Sequence, residues 1–191
     1  MRFRLPALLL VFVCSASAQT PPPWKDVSTA PVSRNLDPAT LSAAQRSSLA
    51  SLLRRHLGGW ECGGEDFRQL IEGLSFDQLP LAPGANAVLV SSGSGCARGG
   101  QGANGALWVV RFYGVHPVLL ASPDNQFSGW LYSVQPSSGH GYRDIILGWH
   151  MSAAEAGLTW FRFDGKAYQP IGSASLLSDD GENLRIVPKQ P

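Results

Sequence analysis

Cysteine is scarce in this chain, with three among 191 residues, and no stretch of the sequence is apolar for long enough to cross a bilayer as a helix. The first absence excludes a disulfide-dense scaffold, and the second excludes a helical membrane protein. Charge of either sign is also in short supply. Lys and Arg number 15 and Asp and Glu 14, so the balance favours neither nucleic acid nor an anionic membrane surface. There is no G-x-S-x-G nucleophile elbow, and the Ser91-Ser92-Gly93-Ser94-Gly95 run reads instead as a polar loop leading to Cys96. Gly100-Gln101-Gly102-Ala103-Asn104-Gly105 matches the dinucleotide fingerprint in letters. That motif needs a following helix aimed at the pyrophosphate, and the strand-like Ala106 to Phe112 follows instead, so a hairpin loop is the better reading.

What is present begins with a leader. Arg2 and Arg4 precede the apolar run Leu5 to Val13, and Ala16 and Ala18 satisfy the small-residue cleavage rule, so residues 1–18 read as a secretory signal peptide. Bulky Val11-Phe12-Val13 before Cys14 argues against lipidation. Cleavage after Ala18 leaves 173 residues, a length that suits one domain, with 13 basic residues against 14 acidic. It also leaves Cys62 and Cys96 as the remaining thiols of a secreted or periplasmic protein, where a disulfide is the default. Closing a loop of about 35 residues would contribute roughly 3 to 4 kcal/mol. Residues 19–35 are proline-rich and read as an extended leader on which Trp24 could dock, and residues 36–191 form the domain.

Asp37-Pro38 has the form of an N-cap and first helical residue, and Leu41, Leu49, Leu52, Leu53 and Leu57 share one face until Gly58-Gly59. A second helix is expected over Glu65 to Glu72, where Phe67, Leu70, Ile71 and Leu74 recur at helical spacing. Phe76 to Gly84 reads as a proline-broken connector. Strands are expected at Ala87–Ser91, Ala106–Phe112, Pro117–Ala121, Gly129–Val134, Arg143–Trp149, Leu158–Phe163, Ala167–Ile171 and Leu184–Val187, with Asp164-Gly165 as a tight two-residue turn.

The pattern repeats. Ala87 to Val90 with Gly105 to Gly114 is echoed by Asp144 to Leu147 with Ala156 to Gly165, each ending Arg-Phe-x-Gly. In both copies Val110 and Phe112, or Phe161 and Phe163, alternate onto the expected core face, leaving Arg111 and Arg162 for solvent or a loop carboxylate. The fold class these signals support is α+β, with two N-terminal helices packed on a mainly antiparallel, meander-type sheet that carries an internal hairpin repeat.

Gly141-Tyr142-Arg143-Asp144-Ile145-Ile146-Leu147 followed by Leu158-Thr159-Trp160-Phe161-Arg162-Phe163-Asp164-Gly165-Lys166-Ala167-Tyr168 resembles a pattern met in many small secreted bacterial proteins with no assigned activity. It also looks distantly like one blade of an FG-GAP or VCBS-type β-propeller. The likeness covers about 30 residues, and at most 85 if both copies count. Blades of that type often carry an Asp-x-Asp-x-Asp-Gly calcium loop. Pro136 to Gly141 supplies no carboxylate, so calcium is not implied, and two copies are too few to close a propeller. The resemblance implies structural roles for Gly141, Asp164 and Gly165 at turns, and for Asp144 as a strand-entry carboxylate accepting loop N–H groups.

His140, Asp144 and His150 form the one constellation with catalytic or metal-binding potential, since six residues along a strand put Asp144 and His150 on one side. No third metal ligand accompanies them, and a helical His56 has no evident partner. Asp179-Asp180-Gly181-Glu182-Asn183 reads as a solvated turn. Six tryptophans, Trp24, Trp60, Trp108, Trp130, Trp149 and Trp160, are too many for the core to hide entirely. Exposed indoles are what protein, peptide and glycan partners use. The function expected is therefore a non-enzymatic binding or interaction module without cofactor, and the alternative is a secreted hydrolase using the His/Asp pair.

Overall fold

A proline at position 38 sets φ for a helix start, but it equally suits an extended edge, and tertiary contacts choose the second. In the structure, a computed structural model that describes residues 23–29, 36–57, 66–93, 104–178 and 183–189, helix α1 spans Ala43–Leu57. Its entry is a reciprocal box at Ser42. The Gln45 N–H donates to Ser42 Oγ at 3.2 Å and the Ser42 N–H donates to Gln45 Oε1 at 3.0 Å. Asp37 is therefore not the cap. Residues 37–39 run along a strand edge instead, with Gln78 N–H donating to the Asp37 carbonyl and Ala39 N–H to the Phe76 carbonyl. Helix α2, Phe67–Glu72, is capped at Asp66, whose carboxylate accepts from the Gln69 N–H at 2.9 Å. The Glu65 start proposed from sequence lies outside the described residues, as do Cys62, Cys96, Trp60 and residues 179–182.

The chain is mostly antiparallel β-sheet. Nine strands follow the helices among the described residues: β1 Leu74–Gln78, β2 Ala87–Ser92, β3 Gly105–Tyr113, β4 His116–Ala121, β5 Ser128–Gly139, β6 Tyr142–His150, β7 Glu155–Phe163, β8 Tyr168–Ser178 and β9 Leu184–Pro188. Every pairing is antiparallel, in the order β1-β2-β3-β5-β6-β7-β8-β9, with β4 beside β3. Strand β1 corrects the sequence reading. Gly73 ends α2, so Leu74 is a strand residue opposite Ser92, and Phe76 opposite Val90, rather than part of a helical face and a connector. Strands β5 and β8 run past the proline and glycine residues that suggested their ends. Irregular register between Val134 and Ser138, and between Trp160 and Phe161, accommodates Pro136 and Pro170 in the ladder.

Both faces of the sheet are buried, which the alternation of one core face had not anticipated. The sheet brings its two halves together around Leu89, Leu107, Val109, Phe127, Ile145, Leu147, Phe161 and Tyr168. Val110 and Phe112 do not join that shared core. They face outward in the first half, under Leu49 and Leu53 of α1 and Leu70 of α2. In the second half Phe161 and Phe163 point inward, while Leu158 and Trp160 face outward and are covered by the leader. Trp24, in a turn of 3-10 helix at Trp24–Asp26, meets Trp160 edge to face at 5.2 Å, and Tyr132 Oη donates to the Ser28 carbonyl at 2.7 Å. The segment read as a linker is, over residues 23–29, a lid on one face of the sheet.

The turn between β7 and β8 is displaced by one residue from the expected pair. Gly165 and Lys166 form its tip, with Asp164 and Ala167 flanking them, and Phe163 pairs with Tyr168. Gly165 has φ of +100°, and Asp164 Oδ1 accepts from the N–H groups of Lys166 at 2.7 Å and Ala167 at 2.8 Å. These bonds, the Ala167 N–H foremost, hold the Asp164 carboxyl below its usual range.

Candidate functional site

Asp144 and His150 lie on strand β6 and His140 lies just before it, and the extended run of the strand keeps the three apart. His140 precedes β6 in a left-handed conformation with φ of +47°, next to Gly141 at +81°. It is exposed, and its ring lies beside the turn at Gly165, where an added Cβ would come within 3.5 Å of Nδ1. Asp144 is fully buried. His150 is exposed at the far end of the strand, about 20 Å from Asp144 at the rise of an extended chain. Its backbone is clamped by Asn104, which accepts from the His150 N–H at 2.6 Å and donates to the His150 carbonyl at 3.1 Å.

The Asp144 carboxylate has its acceptor sites filled from within the protein. Ser137 Oγ donates to it at 2.7 Å, Trp160 Nε1 at 3.0 Å, and Arg162 through Nη2 at 2.8 Å and Nε at 3.1 Å. The hydrogen bond to Asp144 raises the Arg162 pKa further above its ordinary value. These donors are side chains from the sheet, not the loop N–H groups expected from the propeller-blade likeness. Asp144 is a buried anchor joining β5, β6 and β7, and neither histidine reaches it. Among the described residues no group of three His, Cys, Asp or Glu side chains is placed to hold a metal ion.

A second region has features of a ligand site. Trp149 in β6 stands opposite Gly157 in β7, and Trp130 in β5 stands opposite Gly148 in β6. In each pair the indole fills the space where a Cβ would stand: one added to Gly157 would lie 2.1 Å from Trp149 Cε2, and one on Gly148 would lie 2.4 Å from Trp130 Cε2. The glycine thus seats the ring, a device that stiffens a sheet at a residue without a side chain. Trp24, Trp108 and Trp160 are buried and Trp130 half-buried, whereas Trp149 retains 37% of its surface in solvent.

Trp149 forms part of an open cleft of about 300 Å³ lined also by Gln126, Ser128, Thr159, Ser173 and Lys189 and by the apolar Leu158 and Ala174. Local structure places each of the polar ones. Phe127 is buried in the shared core, and Gln126 and Ser128 flank it. Gln126 takes φ of +63° after the 3-10 turn Pro123–Asn125. Thr159 and Ser173 are cross-strand partners on β7 and β8. Lys189 continues β9, with its N–H donating to the Ser173 carbonyl at 2.9 Å. Among the described residues, none of the side chains of Gln126, Ser128, Thr159, Ser173 and Lys189, nor Trp149 Nε1, has a hydrogen-bonding partner within the protein.

In the sequence Trp149 stands out only as one of six tryptophans, and the other cleft residues carry no motif. The one local signal was glycine: Gly148 and Gly157 interrupt otherwise apolar strands, the usual mark of close approach by another group. Ser128, Thr159, Ser173 and Lys189 come from four separate strands or their ends and share no spacing that a motif could express. No protein-family model matches the chain, and neither a curated protein nor a solved structure matches it.

Proposed function

We propose that this chain is an exported, non-enzymatic binding module for a protein, peptide or glycan partner, and that Trp149 and its cleft form the contact surface. The observation that carries this reading is the pairing of a seated, partly exposed indole with polar side chains that have no hydrogen-bonding partner among the described residues. Aromatic anchors beside convergent polar groups are what ligand sites and interaction hot spots share. The two histidines and Asp144 supply no comparable convergence, because Asp144 is buried and its acceptor sites are occupied. Export rests on the leader over residues 1–18, and the mature protein is secreted or periplasmic with a Cys62–Cys96 disulfide. The segments β2–β4 and β6–β8 are copies of one hairpin unit, and the two N-terminal helices close the outer face of the first copy.

The test is capture from the envelope fraction of the native host with tagged protein spanning residues 19–191, alongside its Trp149→Ala variant. A specific partner retained by the parent and lost by the variant supports the reading. Hydrolysis of any envelope component that disappears in His140→Ala or His150→Ala would overturn it, as would the absence of any specific partner under crosslinking.

A further inference from the structure

We infer that the Trp149 cleft is a saccharide site, one that accepts a short segment of a glycan chain and favours segments bearing an anionic group. The inference rests on the binding-module reading above and assigns that module its ligand class. Three observations bear on it.

The first is the indole. Gly157 supports Trp149 from beneath, so the ring is held in place while part of its surface faces solvent. A fixed aromatic platform loses little side-chain entropy on binding, and it suits the face of a sugar ring that presents C–H groups. The second is the character of the polar lining. Ser128, Thr159 and Ser173 are hydroxyls, and Gln126 is an amide; every one of these groups can both donate and accept. Sugar hydroxyls have the same dual capacity. An apolar ligand would instead cover these groups and leave them unsatisfied. The third is charge. Among the described residues Lys189 is the one charged side chain in the lining, and it is exposed at the edge formed by β8 and the end of β9. A carboxylate or sulfate on the sugar would pair with it.

The size agrees. About 300 Å³ is at the small end of ligand sites, and the cleft is open rather than enclosed, as a site crossed by a longer chain needs to be. Asn104, clamped onto His150, anchors the end of β6 immediately after Trp149.

The experiment uses protein spanning residues 19–191 on an array of neutral, uronate-containing and sulfated oligosaccharides. Retained sequences are then titrated in solution by calorimetry and by indole fluorescence. The expected result is retention of uronate or sulfated chains, with saturable change in tryptophan emission. Trp149→Ala should weaken binding by on the order of ten-fold or more. Lys189→Gln should weaken anionic chains selectively, and Thr159→Ala with Ser173→Ala should weaken all retained chains. Because Trp149 is at the surface, Trp149→Ala is expected to fold, which its urea unfolding curve checks; Trp149→Phe should recover part of the binding. Retention of no oligosaccharide, or retention indifferent to Trp149→Ala, overturns the inference. If the envelope capture meanwhile yields a protein whose retention depends on Trp149, the saccharide assignment falls and the binding module stands; if neither experiment yields a partner, both fall.

Discussion

Arg162 and Asp144 meet across adjacent strands, Nη2 to Oδ2 at 2.8 Å and Nε to Oδ1 at 3.1 Å, with the carboxylate fully buried and the guanidinium side chain 22% exposed. Removing the carboxylate would strand four donor groups on three side chains at once, those of Ser137, Trp160 and Arg162. Asp144→Ala is therefore expected to cost about 3 kcal/mol, toward the lower end for a broken buried pair because Arg162 can turn to water. Urea unfolding of parent and variant measures this. A loss below about 1 kcal/mol, the scale of a surface pair, would contradict the anchoring role.

Trp24 is buried against Trp160, with ring centroids 5.2 Å apart and planes at 90°. Trp24→Ala should destabilise the fold by about 3 kcal/mol, the scale of large aromatic truncations in a core. Thermal unfolding will show it. A variant whose stability equals the parent's would return the leader to the role of a tether.

Gly157→Ala places a methyl group in the space held by the Trp149 indole. The ring must swing outward, so tryptophan emission should shift to the red. The cost should be about 1 kcal/mol, at the low end of overpacking because the ring has solvent to move into. Unchanged emission would mean that the indole does not depend on Gly157 for its seat.

Acid stability should depend on Asp164. Its pKa is lowered in the folded protein by backbone N–H groups, so its contribution is complete above the unfolded carboxylate value near 4 and is lost as pH falls through the lower folded value. Asp164→Asn keeps an acceptor at the turn but removes the titration. Its unfolding midpoint should fall less steeply than the parent's below about pH 4. Parallel acid limbs in parent and variant would exclude the linkage.

Base stability should depend on Tyr168. Burial, then the Asp144 charge and Tyr142, push its phenol well above the ordinary value of 10.0, and its hydroxyl donates to the Arg143 carbonyl at 2.7 Å. The folded state thus favours the neutral phenol. Its contribution is complete below the unfolded value and declines as pH rises beyond it. Tyr168→Phe should lose roughly 1 kcal/mol at neutral pH and show a flatter decline above pH 10 or so. Ultraviolet titration of tyrosinate, followed with unfolding, measures both.

Strands were legible where residues alternate or are uniformly β-branched and aromatic: β2, β3, β6 and β7 lie within a few residues of their expected bounds. Misreadings had local causes. Pro38 satisfied the rules for a helix start as well as those for an edge, and the contact with Phe76 and Gln78 decided between them. Leu74 fell at helical spacing from Phe67, but Gly73 stops the helix first. Asp164-Gly165 has the letters of a two-residue turn, while the pairing of Phe163 with Tyr168 moved the tip to Gly165-Lys166. The cleft was not legible beyond Trp149, because its residues come from separate strands spread between Gln126 and Lys189.

By itself the sequence determined a chain rich in antiparallel strands, since side-chain alternation and turn residues act over a few positions and need no distant partner. The blade resemblance drew Asp144, Gly141, Asp164 and Gly165 out of the sequence, but it placed Asp144 against loop N–H groups rather than the Ser137, Trp160 and Arg162 side chains that hold it. Only the tertiary structure decided that both sheet faces are covered, that the leader lies over Trp160, and that Asp144 is sealed from both histidines. The reason is physical. Burial and hydrogen-bond saturation are set by which strands lie side by side and what packs over them, and those contacts join residues far apart in the chain.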